Sequence, residues 1–102
     1  MAGRSFEYHP EAVQEAAEAY LWYADRSEEA AEQFLAELRS ARETAAEHPR
    51  RQTTYLHGTR CCRLRRFPYG LVYVERGNII LGIAVAHLRR RPGYWRRRLK
   101  VE

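Results

Sequence analysis

Apolar residues recur with helical spacing in the first half of the chain. Ser5 to Tyr8 is predicted to be a short strand, and His9-Pro10 then predicts a helix start, because proline suits the first helical turn. On a 3.6-residue wheel, one side of this helix carries an apolar stripe that we expect to be buried. Its members are Val13, Ala17, Tyr20 and Ala24. The opposite, solvated side carries Glu11, Glu15, Glu18 and, out of character, Trp22. Trp22 is either covered by a loop or the second helix, or it contacts another chain.

A second helix is predicted after the short turn Asp25-Arg26-Ser27. Ser27 can cap its N-terminus, and His48-Pro49 ends it. Apolar residues at alternating spacings of three and four form a seam for packing on the first helix: Ala31, Phe34, Leu38, Ala41 and Ala45. The two helices should therefore form an antiparallel hairpin. Because alanine-rich contacts give a thin core, the hairpin must pack on another layer.

That layer is predicted to be a sheet, with strands at 60–67, 69–76 and 78–88. Alternation along the strands would place the large aliphatic residues toward the helices. These are Val72, Val74, Ile79, Leu81, Ile83 and Val85. The opposite face would then combine arginines and tyrosines with a floor of glycine and alanine. We expect that face to be a concave, basic, partner-binding surface, the alternative being an ordinary solvated face.

The overall composition fits a folded domain, but the charge is unevenly distributed. The chain has 102 residues, of which 45% are apolar and 30% charged, so it has room for one domain spanning 1–102. Residues 1–48 carry 4 basic and 11 acidic side chains, whereas 49–102 carry 14 basic and 2 acidic, within a net charge of +5. The basic half predicts an anionic partner, either a nucleic acid or an acidic protein.

Several classes of protein are disfavoured by what the sequence lacks. No apolar run is long enough to span a membrane, and the first residues lack the apolar core of a signal peptide. The adjacent Cys61 and Cys62 cannot bridge distant parts of the fold and lack the spacing of a zinc site. We therefore expect a cytoplasmic protein with no membrane partner, no metal and no cofactor.

The segment from His87 to Lys100 interleaves basic side chains with rings. It contains six arginines, one lysine, one histidine, Tyr94 and Trp95. Such a mixture suits phosphates with base stacking, or equally an acidic protein strand with aromatic anchors. Tyr94 and Trp95 can instead latch the segment onto the core. Alternation places His87 on the side of Val85, toward the helices, where a hydrogen-bonded structural role competes with an acid–base role.

With this order of elements, the chain resembles a RelE/ParE-superfamily toxin of type II toxin-antitoxin systems. The most specific part is the run RCCRLRRFPYGLVYVERGNIILGIAVAHLRRRPGYW, and HPEAVQEAAEAYLWY followed by AAEQFLAEL is similar to the helical hairpin of that superfamily. The resemblance covers nearly the whole chain. It implies an α+β fold, in which an N-terminal strand and an antiparallel helical hairpin pack on a small, mainly antiparallel sheet. It also implies a cognate antitoxin that wraps over the toxin, with room for a higher-order complex.

Two activities occur on this scaffold, so the fold does not choose between them. RelE-type members cleave messenger RNA in the ribosome, whereas ParE-type members inhibit DNA gyrase. RelE-type nucleases often carry an arginine just before the L-V-Y of the second sheet strand, where this chain has Gly70, and AVAHLRRRP resembles the ParE-type ending. The resemblance therefore favours gyrase inhibition by binding. A ribosome-dependent endonuclease is the alternative, and a non-toxic nucleic-acid-binding module is a third, so whether the chain is an enzyme stays open.

The resemblance and the residue pattern together give candidate site residues. Target binding is assigned to Arg63, Arg65, Tyr73, Arg89, Arg90, Arg91, Tyr94, Trp95, Arg96 and Arg97. In the nuclease alternative, Arg63, Arg65 and Arg90 would hold the phosphate. His87 or Tyr94 would then assist proton transfer. Antitoxin binding is assigned to Trp22, Arg65 and Tyr69.

Overall fold

The computed structural model describes residues 4–100, so the ends of the predicted domain, 1–3 and 101–102, lie outside the described residues. The helices are α1 (Pro10–Ala24) and α2 (Glu28–Glu47). The strands are β1 (Ser5–Tyr8), β2 (Thr53–Thr54), β3 (Arg60–Arg63), β4 (Tyr69–Arg76) and β5 (Ile79–His87). Short 3-10 turns occupy Leu56–Gly58 and Arg96–Leu99. Over the described residues the strands form one sheet in the order β1-β5-β4-β3-β2, with β1 parallel to β5 and every other pair antiparallel.

Both helices begin and end close to where the sequence predicts. Pro10 opens α1, where the imidazole Nδ1 of His9 accepts a hydrogen bond from the Glu11 N–H at 3.1 Å. The Ser27 hydroxyl oxygen accepts from the Ala30 N–H at 3.1 Å and so caps α2. The predicted seam of α2 is confirmed, because all five of its residues are buried. Three of them, Phe34, Leu38 and Ala41, belong to the core cluster that includes Ala19 of α1 and Leu71 and Val85 of the sheet.

The predicted buried stripe of α1 is wrong for two of its four members. Val13 is 53% exposed and Ala17 is exposed, whereas Tyr20 and Ala24 are half-buried and Tyr20 packs against the core. The residues that α1 buries fully are Ala12 and Ala19. Apolar residues lie on most sides of α1, so a wheel permits several orientations. The structure favours the side with the small alanines, which lets the helix approach β5 closely. That rotation also turns Glu15 inward.

The predicted side-chain alternation of β4 and β5 is also wrong, with Val85 the exception. Tyr69, Leu71, Tyr73, Ile80 and Val85 pack toward the helices, whereas Val72, Val74, Leu81 and Ile83 belong to the opposite face. In β5 the cause is a β-bulge: Val72 pairs with Ala84 and Tyr73 pairs with Gly82, which leaves Ile83 without a partner. One extra residue inverts the alternation beyond it. β4 alternates regularly, but its two faces are the reverse of those predicted.

The second face of the sheet is covered by the chain itself. Residues 88–100, here called the tail, fold back over this face and bury Trp95 to 1% exposure against Cys61, Val72 and Ile83. Leu99 and Tyr55 pack around the same cluster. The expectation of an open, concave, basic sheet face is therefore wrong. The reason is that the aromatic residues of the tail find apolar strand residues there to pack on.

β3 is shorter than predicted, ending at Arg63 rather than at residue 67. The following loop bends under α2, where the Glu37 carboxylate accepts hydrogen bonds from the backbone N–H groups of Arg65 at 2.7 Å and Arg66 at 3.1 Å. These bonds replace the strand pairing that a longer β3 would have had. They leave the Arg65 and Arg66 side chains exposed.

Candidate functional site

The carboxylate of Glu15 lies at the junction of α1, β5 and the tail. It accepts hydrogen bonds from the Val85 N–H at 3.0 Å and from the Tyr94 hydroxyl at 2.7 Å. Both terminal nitrogens of Arg98 donate to it, at 3.0 and 2.9 Å. The Glu15 side chain is 12% exposed and that of Arg98 is 10% exposed. The expectation that Glu15 lies on a solvated surface is therefore wrong.

The sheet topology explains why a carboxylate is held there. β1 ends at Tyr8, which pairs with Gly82, so beyond Gly82 this edge of β5 has no neighbouring strand. The Val85 N–H is satisfied by Glu15, and the Ile83 carbonyl accepts from Arg98 at 3.1 Å. Two side chains thus take the place of strand partners, because buried backbone polar groups must be paired.

Charge and burial keep Tyr94 and Arg98 protonated. Burial raises the pKa of Tyr94, and the hydrogen bond and negative charge of Glu15 raise it further. Burial lowers the pKa of Arg98, but the hydrogen bond to Glu15 and the charges of Glu15 and Glu11 outweigh that effect, so its pKa is raised overall. Tyr94 therefore stays a protonated donor, which disfavours the predicted role in proton transfer near neutral pH.

A cleft of about 440 Å³ opens beside this junction, between α1, the loop before β4, the end of β5 and the tail. Five residues that the sequence assigned to a site line it together: Trp22, Tyr69, His87, Arg90 and Tyr94. Glu15, Glu18 and Val85 complete the polar and apolar walls. The cleft thus joins residues predicted to bind the antitoxin with residues predicted to bind the target.

Trp22 and His87 differ in how free their rings are. Trp22 is 53% exposed. Its ring contacts the Tyr23 ring and is stacked by the Arg26 guanidinium at 3.6 Å from its centre. His87 faces the helix side as predicted, with its ring 5.0 Å from that of Tyr69, and its Nδ1 accepts from the Arg89 N–H at 3.2 Å. That bond supports the structural alternative for His87.

Two of the predicted target-binding residues are inaccessible. Tyr73 is 1% exposed on the helix side, and its hydroxyl donates to the Pro49 carbonyl at 2.6 Å. Trp95 is buried under the tail. The two predictions fail for different reasons: β4 turns Tyr73 toward the helices, and the tail places Trp95 on the opposite face of the sheet.

The predicted arginines fall into two groups. Arg63 lies at the end of β3 and pairs with Gly70, which in turn pairs with Ala86 near the end of β5. The first group therefore lies at one end of the sheet and consists of Arg63, Arg65 and Arg89–Arg91. Arg96 and Arg97 are exposed on the tail turn. Within residues 4–100, none of these arginines forms an ion pair with an acidic side chain. Arg90 stacks on the Tyr94 ring, its guanidinium carbon lying 3.9 Å from the ring centre.

The described part of the chain gives little support for a metal site, a membrane-spanning helix or a reactive cysteine. Over residues 4–100, no three histidine, cysteine or acidic side chains cluster as metal ligands would. Neither helix in that range is both long enough and apolar enough to cross a bilayer. Cys61 is buried, and burial raises the pKa of its thiol to about 11, so it is a poor nucleophile.

Comparison with known proteins identifies the family. A family model described as the ParE toxin of the type II toxin-antitoxin system parDE matches residues 6–92. The chain belongs to the ParE toxin family. A solved structure, the chromosomal ParDE toxin-antitoxin system from P. aeruginosa, contains a chain that is similar to this ParE-family chain with a TM-score of 0.73. The two are 14% identical over 84% of this chain and 97% of that one, which shows a shared fold. No curated protein matches the sequence.

Membership in the ParE family confirms the predicted superfamily and its α+β architecture. A toxin-antitoxin family also implies a cognate antitoxin as partner. Sequence reasoning missed Glu15, Arg98 and Glu37. The one available signal for Glu15 was its position between Ala12 and Ala19, on the side of α1 that packs against the sheet. Nothing in the sequence separates Arg98 from its neighbours Arg96 and Arg97.

Proposed function

We propose that this ParE-family chain arrests growth by binding DNA gyrase and that a cognate antitoxin neutralises it by covering the cleft. The observation that carries the proposal is the group of exposed arginines at one end of the sheet, Arg89–Arg91 with Arg63 and Arg65. Within the described residues they have no acidic partner. Unpaired guanidinium groups on a folded surface favour contact with an acidic surface of another molecule.

These arginines are held on a fixed framework. The Leu88 N–H donates to the Pro68 carbonyl at 2.8 Å, and the Arg90 N–H donates to the His87 carbonyl at 3.0 Å. The stacking of Arg90 on Tyr94 then fixes the direction of one guanidinium. Because the framework is ordered before any partner binds, less conformational entropy is lost on binding.

The cleft supports a binding mechanism better than a catalytic one. The Tyr94 hydroxyl donates to Glu15, and the His87 Nδ1 accepts a backbone N–H, so both side chains already serve structural bonds. The alternative endonuclease has one observation in its favour, namely that His87, Arg90 and Tyr94 line one cleft. A catalytic base would need an atom free to take a proton near neutral pH.

The antitoxin is proposed to insert apolar and acidic side chains into the cleft. Trp22 and Tyr69 offer ring surface there, and Arg90 offers positive charge at the rim. Because Arg90 belongs both to the cleft and to the arginine group, an antitoxin seated in the cleft would block the target surface. Neutralisation would then follow from direct competition.

Expression of the chain without an antitoxin, under tight induction, tests the proposal. We expect growth arrest, altered supercoiling of a reporter plasmid, intact messages, and inhibition of purified gyrase by the purified chain. New messenger RNA ends within codons, with normal plasmid topology, would favour the endonuclease. Unimpaired growth at verified protein levels would contradict both toxin mechanisms and leave the nucleic-acid-binding module.

A further inference from the structure

The geometry points to Glu15 as the positioning residue that holds the basic tail in the orientation needed for target contact. The Glu15 carboxylate is engaged in hydrogen bonds within the chain, to Val85, Tyr94 and Arg98. The inference rests on the proposed function, because it concerns how the arginines of that function are presented. It concerns a residue of α1, far in sequence from the arginines that it would orient.

Glu15 fixes the tail at two points. Tyr94 and Arg98 lie on either side of Trp95, whose ring is buried between the tail and the sheet. Hydrogen bonds to one carboxylate therefore pin both flanks of the buried ring, and Arg96 and Arg97 lie between the pinned positions. Arg90 is positioned indirectly, because it stacks on the Tyr94 ring that Glu15 holds.

Apolar packing does not supply the same restraint. The contact of Trp95 with Cys61 and Ile83 keeps the middle of the tail on the sheet, but apolar contacts are not directional. The two nitrogens of Arg98 meet Glu15 in a bidentate pair, with a further contact from Arg98 to Glu11 at 3.3 Å. Bidentate pairs fix the orientation of both groups. The carboxylate is thus the element that sets the direction of the tail.

The buried pair makes a double-variant test possible. Removing Arg98 leaves a buried carboxylate without its cation, and removing the charge of Glu15 leaves the buried Arg98 guanidinium with only the half-exposed Glu11. Replacing both charged groups together removes the penalty of an uncompensated buried charge. Glu15→Gln and Arg98→Gln should each release the tail. The combined Glu15→Gln and Arg98→Gln variant should recover much of the attachment, since no unpaired charge is then buried and the Gln amide at position 15 can still bond to the Val85 N–H and to Tyr94. Glu32→Gln, at an exposed position on α2, is the matched control.

The experiment measures tail release and toxicity in the same full-length variants. Limited trypsin digestion followed by mass spectrometry compares cleavage after Arg96 and Arg97 with cleavage after Arg39 and Arg42 in α2. For each single variant we expect cleavage in the tail to rise about tenfold relative to α2, as local opening increases. Toxicity should fall with it. The double variant should recover both properties, and Glu32→Gln should match the wild type.

The outcomes separate this inference from the proposed function. Unchanged tail protection in Glu15→Gln would overturn the inference, as would a released tail with full toxicity. If Glu15→Gln is unfolded by circular dichroism, Arg98→Gln is compared with the double variant instead. A double variant with no better tail protection and toxicity than Arg98→Gln would then overturn the inference. The proposed function fails on a different result, namely full toxicity after removal of Arg89, Arg90 and Arg91.

Discussion

A Cβ atom at Gly70 would lie 2.6 Å from the Sγ atom of Cys61 and 3.2 Å from a methyl group of Leu88. Gly70 is buried in β4, on the face that the tail covers. This is the position at which RelE-type members of the superfamily often carry an arginine. The packing around Gly70 leaves no room for such a side chain. The missing cation is therefore part of how the second face of the sheet is packed.

Gly70→Ala is expected to lower the free energy of unfolding by about 1–3 kcal/mol, because the added methyl group must displace a buried sulfur atom. Urea denaturation measures the loss. Gly77→Asn is the control, since the Gly77 site is open and its positive φ of 61° is one that asparagine tolerates. Equal stability of Gly70→Ala and the wild type would show that Cys61 and the tail shift freely.

Replacing Arg89, Arg90 and Arg91 together by alanine is expected to abolish toxicity and leave the thermal midpoint nearly unchanged. The three side chains are exposed, and changes at such positions usually cost about 0.5 kcal/mol or less. Growth after induction and a thermal melt measure the two properties. The variant Arg39→Ala, Arg42→Ala and Arg51→Ala removes the same charge from exposed positions elsewhere. If both triple variants lose toxicity alike, net charge rather than the sheet-end group is responsible.

Trp22→Glu is expected to weaken capture by the antitoxin at least tenfold, a change of about 1.4 kcal/mol in binding free energy. The substitution removes ring surface from the wall of the cleft and adds a charge that repels acidic antitoxin residues. Titration of the toxin with its antitoxin by calorimetry measures the change. Leu21→Glu alters the neighbouring exposed residue, which does not line the cleft. A larger effect at Leu21 than at Trp22 would place the antitoxin on another side of α1.

The Cys61 thiol is expected to resist alkylation at pH 8 until the protein unfolds. Burial raises its pKa from 9.0 to about 11, so the reactive thiolate is scarce in the folded chain. A raised folded-state pKa adds stability that is fully present below pH 9 and is lost as the pH rises toward 11. Iodoacetamide labelling with and without urea, with Cys62→Ala to isolate the site, measures the rate. Fast labelling of the folded protein would contradict the expected burial.

The predictions that succeeded and those that failed differ in how much the residue pattern constrains them. The seam of α2 is flanked by charged residues, so one orientation buries Phe34 and Leu38 and exposes the charges. In β5, residues 79–86 are apolar throughout, and no polar position marks which face is covered. A single extra residue at Ile83 then inverts the alternation. Pattern alone cannot locate such a bulge.

The sequence named some of the residues that line the cleft but did not predict their arrangement. The sequence pointed to Trp22, Tyr69, His87, Arg90 and Tyr94, and these residues do line one cleft. It could not show that Tyr73 and Trp95 are buried, because nothing in the sequence marks which face of β4 meets the helices or where the tail folds. It also could not distinguish Glu15 from the other glutamates of α1, since its role depends on a strand edge and an arginine that are both distant in sequence.

On the exposed side of α1, selection for folding can be distinguished from selection for binding. Val13 and Leu21 are largely solvent-accessible, so polar replacements there would change the folding free energy little. Selection for folding does not by itself keep such positions apolar. Among orthologues, polar residues at the positions of Val13 and Leu21 would indicate a solvent-exposed surface, and conserved large apolar residues would indicate contact with another molecule.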